Sequence, residues 1–164
     1  MKIIGLISDT HIPTRAKTVP EKALDVLKDS SLIVHAGDLI QLSVLNDLER
    51  LAPIVAVCGN MDRHDVKQRL PNMDSVRVYD WKIGVIHDAG ALWGTRTMKR
   101  IAKQNSFDVL VFGHTHRPTF KRENSVLFIN PGSPTNPLPP FLVKPTIARL
   151  RIAKEKIEPE IIQI

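Results

Sequence analysis

The sequence predicts an α/β fold built on a parallel sheet, and three observations carry that reading. Apolar runs of strand length alternate with helical spacing through the first third of the chain, which is the order of βαβ units. Each of those runs ends in a short polar motif: Asp9-Thr10-His11, Gly37-Asp38 and Gly59-Asn60-Met61-Asp62. In open parallel sheets ligands bind beyond the carboxyl ends of the strands, where these motifs fall. The length of 164 residues, 43% of them hydrophobic, suits one domain with one sizeable core. No internal repeat, linker or low-complexity tail divides residues 1–164.

Lys2 to Ser8 is the first strand; its apolar run is too short for a signal peptide and passes straight into Asp9. Pro13 makes a loop of His11 to Arg15. Pro20-Glu21 opens a helix through Lys28, with Ala23, Leu24 and Leu27 at helical spacing. Leu32 to Ala36 is the second strand, Ser43 to Leu51 the second helix, and Pro53 to Cys58 the third strand. A short helix follows from His64 to Leu70, closed by Pro71. Ser75 to Tyr79 and Trp81 to Ile86 are strands joined at Asp80, the second ending in His87-Asp88-Ala89-Gly90. Thr95 to Lys103 is a helix with Met98, Ile101 and Ala102 on one side. Phe107 to Phe112 is an apolar strand that exits into Gly113-His114-Thr115-His116. A strand after Arg117-Pro118 turns at Glu123-Asn124 into Ser125 to Ile129, and a proline-rich loop begins at Asn130. Residues 145–152 and 156–163 form a closing hairpin.

Bulk properties narrow the function. No stretch approaches the ~18 apolar residues of a membrane helix. A lone cysteine, Cys58, excludes an intramolecular disulfide and fits a cytoplasmic protein; it sits in an apolar run and reads as core. The net charge of +6 favours an anionic substrate or nucleic acid, but the cations are scattered along the chain and no nucleic-acid-binding motif is present. A soluble basic surface is the plainer reading of the charge.

The strand ends together offer Asp9, His11, Asp38, Asn60, His87, His114 and His116. Two imidazoles one residue apart, at His114 and His116, point the same way if the chain stays extended. Seven donors exceed the four that one zinc ion takes, and they suffice for two ions if one carboxylate bridges. Oxygen and nitrogen donors without thiolate suit manganese, iron, nickel or zinc rather than calcium or an iron–sulfur cluster. A pair of ions ~3.5–4 Å apart is a common device for displacing oxygen from phosphorus. Helix capping alone explains the carboxylates and the amide but not four histidines.

In order and spacing, Asp9-Thr10-His11, Gly37-Asp38, Gly59-Asn60-Met61-Asp62, His87 and Gly113-His114-Thr115-His116 resemble the calcineurin-like metallophosphoesterases. With Asn130-Pro131-Gly132-Ser133, the chain looks like the small single-domain YfcE-type phosphodiesterase branch. The resemblance implies a four-layer αββα sandwich. It implies one metal on Asp9, His11 and His116, a second on Asn60, His87 and His114, and Asp38 between them, with a hydroxide between the metals as nucleophile. Asp38, Asn60 and His87 are the residues on which the chemistry is expected to turn. Manganese is the first expectation for both ions, with nickel, iron, zinc or cobalt as alternatives. The expected substrate is a small or nucleotide-like phosphoester. The expected activity is phosphodiesterase or phosphatase; the alternatives are a non-catalytic scaffold like the retromer subunit of this fold, and a nuclease. Small sheets of this type often pair, which leaves a homo-oligomer open.

One departure touches the mechanism. Larger relatives carry a histidine where this chain has Met61, and that histidine is thought to protonate the leaving group. His64 is a weaker candidate for the proton, with low-pKa leaving groups or water as the alternative. Arg15 and Arg117 are each as well placed to grip a phosphate as to be solvated. Asp88 reads as a turn cap, Asp62 and Asp65 as helix-start residues, and His35 as core rather than support for the site. Trp81 and Trp93 read as anchors before stacking platforms.

Overall fold

A computed structural model describes residues 1–93 and 95–164, with the side chain of Trp93 left aside; substrate stacking on Trp93 therefore lies outside the described residues. The strands are β1 (Lys2–Ile7), β2 (Leu32–His35), β3 (Ile54–Ala56), β4 (Met73–Val78), β5 (Trp81–Ile86), β6 (Val109–Phe112), β7 (Thr119–Glu123), β8 (Val126–Asn130), β9 (Thr146–Ile152) and β10 (Ile157–Gln163). The helices are α1 (Glu21–Leu27), α2 (Ser43–Glu49), α3 (His64–Arg69) and α4 (Thr95–Asn105). Two five-stranded sheets result, ordered β10-β9-β1-β2-β3 and β4-β5-β6-β8-β7.

The expected parallel sheet is real but covers only part of each layer. β1, β2 and β3 run parallel, with Leu6 opposite Val34 and Val34 opposite Val55. The closing hairpin adds β9 and β10 antiparallel to that sheet's edge. In the second sheet β5, β6 and β8 are parallel, flanked by antiparallel β4 and β7.

Three apolar clusters make four layers out of the two sheets. Alternate residues of a strand face opposite sides, so β1 sends Ile4 and Leu6 between the sheets and Ile7 outward, while β6 sends Val109 and Val111 inward and Leu110 and Phe112 outward. The inner cluster joins both sheets through Val34, Val85, Leu127 and Leu150. Leu27, Leu48 and Val66 pack the first three helices on the outer face of the first sheet. Met98 and Ala102 pack α4 on the outer face of the second. Burying a side chain of Leu or Ile size contributes roughly 1.5–3 kcal/mol, so truncating a fully buried one such as Leu110 would cost on the order of 2–5 kcal/mol.

The sequence reading runs long or short only at ends. α4 continues to Asn105, whose side-chain amide donates to the Ile101 carbonyl. β6 starts at Val109 because the Phe107 amide closes the helix end on Ala102 and the Asp108 carboxylate accepts the Lys82 amide. Trp81 is an anchor, its indole N–H donating to the Ala153 carbonyl at 2.9 Å.

Candidate metal centre

All seven strand-end donors meet at the carboxyl edge of β1, β2, β3, β5 and β6, between the sheets. Asp9 is fully buried. Its Oδ1 lies 3.2 Å from His116 Nε2 and 3.8 Å from His11 Nε2. The two imidazole Nε2 atoms are themselves 3.2 Å apart. Asp38 Oδ2 lies 3.3 Å from His87 Nε2 and 3.8 Å from His11 Nε2, so it touches a histidine on either side. Asn60 Oδ1 lies 3.0 Å from His87 Nε2 and 3.1 Å from His114 Nδ1. Two groups of potential ligand atoms emerge, Asp9-His11-His116 and Asp9-Asp38-His87, each within 4.8 Å and both containing Asp9.

The backbone is bent hard to bring them there. Asp9, His11, Asp38, His114 and His116 all have φ between 45° and 69°. A non-glycine residue in that region costs on the order of 1 kcal/mol or more, and such residues gather at functional sites. The same bend corrects the expectation that His114 and His116 point alike. Left-handed residues break strand alternation, so His116 turns to Asp9 while His114 turns to Asn60. Gly37, at φ 90°, has no alternative, since a Cβ there would meet the His87 ring at 2.8 Å.

Hydrogen bonds set the tautomers. His87 Nδ1 donates to the Ala36 carbonyl at 2.8 Å, and His116 Nδ1 donates to the Asn136 carbonyl at 2.6 Å. Each therefore presents Nε2 as a lone pair when neutral. His87 Nε2, Asp38 Oδ2 and Asn60 Oδ1 are then three acceptors facing one another; Asp9 Oδ1 and His116 Nε2 are two more, with His11 Nε2 close to both. Acceptors crowd like this only around a proton or a cation. The donor set thus fits two cations with mixed nitrogen and oxygen ligands. Without them, protons take the place. Burial works against a charged His87, yet its contact with Asp38 and the charges of Asp9 and Asp38 outweigh it and raise the pKa to about 9. His116 is raised against burial by Asp9 in the same way. Both carboxylates are held below their ordinary range: burial opposes this, but histidine contacts prevail.

Several supports were not legible as such. Asp62 is no helix-start residue. α3 begins at His64 after Arg63, while the buried Asp62 carboxylate accepts the backbone N–H groups of Asp38 (3.1 Å), Ile40 (2.5 Å) and Gly59 (2.7 Å). It thereby joins the loops that carry Asp38 and Asn60. His35 is buried as expected, but it serves the site too: Nδ1 accepts the Gly37 N–H at 3.1 Å, and Nε2 lies 3.2 Å from Thr10 Oγ1. In the late loop Ser133 Oγ donates to the Asp9 carbonyl at 2.7 Å, and Thr135 Oγ1 to the Thr10 carbonyl at 2.7 Å. Nothing in spacing or periodicity points to those contacts.

The remaining candidates divide. Arg15 is exposed and lines a cavity of about 370 Å³ with His11, Asp38, Asn60, His114 and His116. His64 is exposed on α3, bonded to Gln68 at 2.9 Å, and lines neither cavity beside the donors. Asp88 caps its turn by accepting the Gly90 N–H at 2.7 Å. Cys58 is buried, with its thiol pKa raised by burial.

This arrangement has a family. The model of the calcineurin-like phosphoesterase superfamily domain matches residues 1–155. The chain belongs to the calcineurin-like phosphoesterase superfamily. Within the superfamily it is 41% identical to a probable metallophosphoesterase of Methanothermobacter thermautotrophicus, over 98% of this chain and 92% of that one. It is 32% identical to a phosphodiesterase of Methanocaldococcus jannaschii, over 79% of this chain and 82% of that one. Among solved structures of similar fold, the zinc complex of wild-type Vps29 from Entamoeba histolytica matches with a TM-score of 0.79 at 26% identity, over 98% of each chain.

Proposed function

We propose that this calcineurin-like phosphoesterase is a metal-dependent phosphodiesterase of the YfcE-type branch, its residues 1–164 forming one catalytic domain. The observation that carries the reading is the pair of acceptor clusters sharing Asp9. In this reading Asp9, His11 and His116 hold one divalent ion and Asn60, His87 and His114 the other. Asp38 reaches both, as its distances to His11 and His87 support. Manganese is the expected metal. Bound there, the ions supply Lewis acidity to phosphoryl oxygens and lower the pKa of water.

The chain's own residues do the rest. Arg15 stands at the mouth as a cation for a phosphoryl oxygen. Asn60 is a neutral donor, which keeps negative charge from accumulating against an anionic substrate. Asn60 and His114 border two cavities at once, the one with Arg15 and one of about 410 Å³ that also contains Lys67, Asn72 and Asp88. A phosphate at that border has room for an ester arm on each side, which favours a diester over a monoester. The wall near Asn60 carries Met61, 57% exposed and unable to give a proton. The substrate is then one whose leaving group departs without an acid or takes its proton from water.

Hydrolysis of bis(p-nitrophenyl) phosphate tests the reading. Turnover is expected with manganese, nickel or cobalt, lost in chelator, and about 100-fold or more lower in Asp9→Asn, which touches both clusters. No turnover with any of the three metals would turn the reading to a scaffold.

A further inference from the structure

The structure gathers cations that look scattered along the sequence. α4 carries Arg96, Lys99, Arg100 and Lys103 and no carboxylate from Thr95 to Asn105. Each of the other helices carries carboxylates: Glu21 and Asp25 beside Lys22 in α1, Asp47 and Glu49 in α2, and Asp65 beside Lys67 and Arg69 in α3. Met98 and Ala102 bury one side of α4. Arg96, Arg100 and Lys103, spaced i, i+4, i+7, form an exposed ridge on the other. Among the described residues none of the three pairs with a carboxylate; Lys99 and Lys121 share Glu123. Like charges three and four apart work against a helix, and a polyanion laid on the ridge removes that repulsion.

A groove runs beside the ridge, between α4 and β7. It holds cavities of about 520 Å³ and 390 Å³ that meet at Phe128. Met98, Phe112 and Phe128, each buried, form the apolar floor of the larger cavity, Leu92 stands exposed at its side, and Arg117 and Lys121 are its cations. Thr115 also lines it, and Thr115 and Arg117 stand on either side of His116. The groove therefore reaches the loop that supplies two of the metal-centre donors.

We propose that the α4 ridge and the α4–β7 groove form a track for single-stranded nucleic acid, phosphates on the ridge and unstacked bases in the groove. Single-strand sites combine a cationic path with apolar or aromatic walls that accept bases. A duplex keeps its bases stacked and offers nothing to the cavities. A membrane surface asks for apolar side chains protruding among the cations; the ridge itself has none, and the exposed Leu92 and Phe120 lie on the segments flanking the groove. Binding on this track is independent of the phosphodiesterase reading. Only its consequence, that the strand is led toward the metal centre as substrate, rests on that reading.

Fluorescence anisotropy of a labelled 20-nucleotide oligo(dT) with the full chain in EDTA tests it, since binding is then read without turnover. The logarithm of the association constant should fall linearly with the logarithm of salt, with a slope of about −2 to −3 for roughly four phosphates. In R96Q/R100Q/K103Q the affinity at low salt should fall about tenfold or more and the slope shrink by about 2. Its turnover of the small chromogenic diester should stay at the wild-type level, which also reports folding. K17Q/K22Q/K154Q, removing as much charge elsewhere, should bind like wild type. The proposal is overturned if the wild type fails to bind, if the ridge variant keeps the full slope, or if the control variant loses as much. Ridge-dependent binding to phosphatidylserine vesicles without binding to the oligonucleotide would overturn it in favour of a membrane surface.

Discussion

The two halves of the metal centre are built differently. Asp9, His11 and His116 are all buried, and a tight set of bonds holds them. Ser8 Oγ donates to Asp9 Oδ2 at 2.6 Å, Ser133 holds the Asp9 carbonyl, and Asn136 holds His116. On the other side His87 is buried, but Asn60 is exposed and His114 only half-buried. That side depends on one carboxylate, Asp62, to keep its loops in register. The closed half is held by its own bonds; the open half shares its edge with both cavities. Tight bonding and access are thus divided between two halves, each of which has a histidine in contact with Asp38.

The largest expected effect breaks the brace of the open half. Asp62→Ala leaves the buried N–H groups of Asp38, Ile40 and Gly59 without their acceptor. At about 1–3 kcal/mol for each unsatisfied group, partly relieved by water, the loss should be on the order of 4 kcal/mol. A melting temperature lower by roughly 10 °C checks it. An unchanged melting temperature would mean that the loops do not need Asp62.

Comparing the two neighbouring histidines sharpens the contrast. In metal-free protein His116→Ala should cost about 3 kcal/mol, because it leaves the buried Asp9 charge short of a partner. His114→Ala should cost below about 0.5 kcal/mol, as a change at a half-exposed site, yet still lose one ion when metal content is measured. Equal destabilisation by both would erase the distinction between closed and open halves.

A smaller effect reads the shell behind the centre. Burial holds the His35 pKa at about 4 against an ordinary 6.5. Between those values the unfolded chain takes up a proton that the folded chain refuses, so stability falls as pH drops from 6.5 toward 4. From pH 7 to 5 that amounts to about 2 kcal/mol in the metal-free protein. His87, raised to about 9, acts in the opposite sense: its contribution is complete below 6.5 and is lost as pH rises through 9. His35→Asn keeps an acceptor for the Gly37 N–H and cannot take the proton. Denaturant titrations at pH 5 and 7 should show its acid loss reduced by about that amount, with the alkaline limb unchanged.

The sequence by itself determined the elements and the donors. Strand and helix periodicity are local properties, so β5 matches its expected bounds of Trp81–Ile86 and β1, β2 and the closing hairpin come within a residue or two. Asp9, His11, Asp38, Asn60, His87, His114 and His116 were visible because each follows an apolar strand. Only the tertiary structure decided what depends on distant segments meeting. Asp62 looks like a helix start until β2 and β3 lie side by side and bring Asp38 and Ile40 within reach. Ser133 touches Asp9 across 124 positions of chain. The divergence of His114 and His116 arises from left-handed backbone that alternation does not describe. The basic ridge exists because the second sheet buries Met98 and Ala102 and turns Arg96, Arg100 and Lys103 to the outside. Periodicity reports which side of an element is apolar; packing chooses what its polar atoms meet.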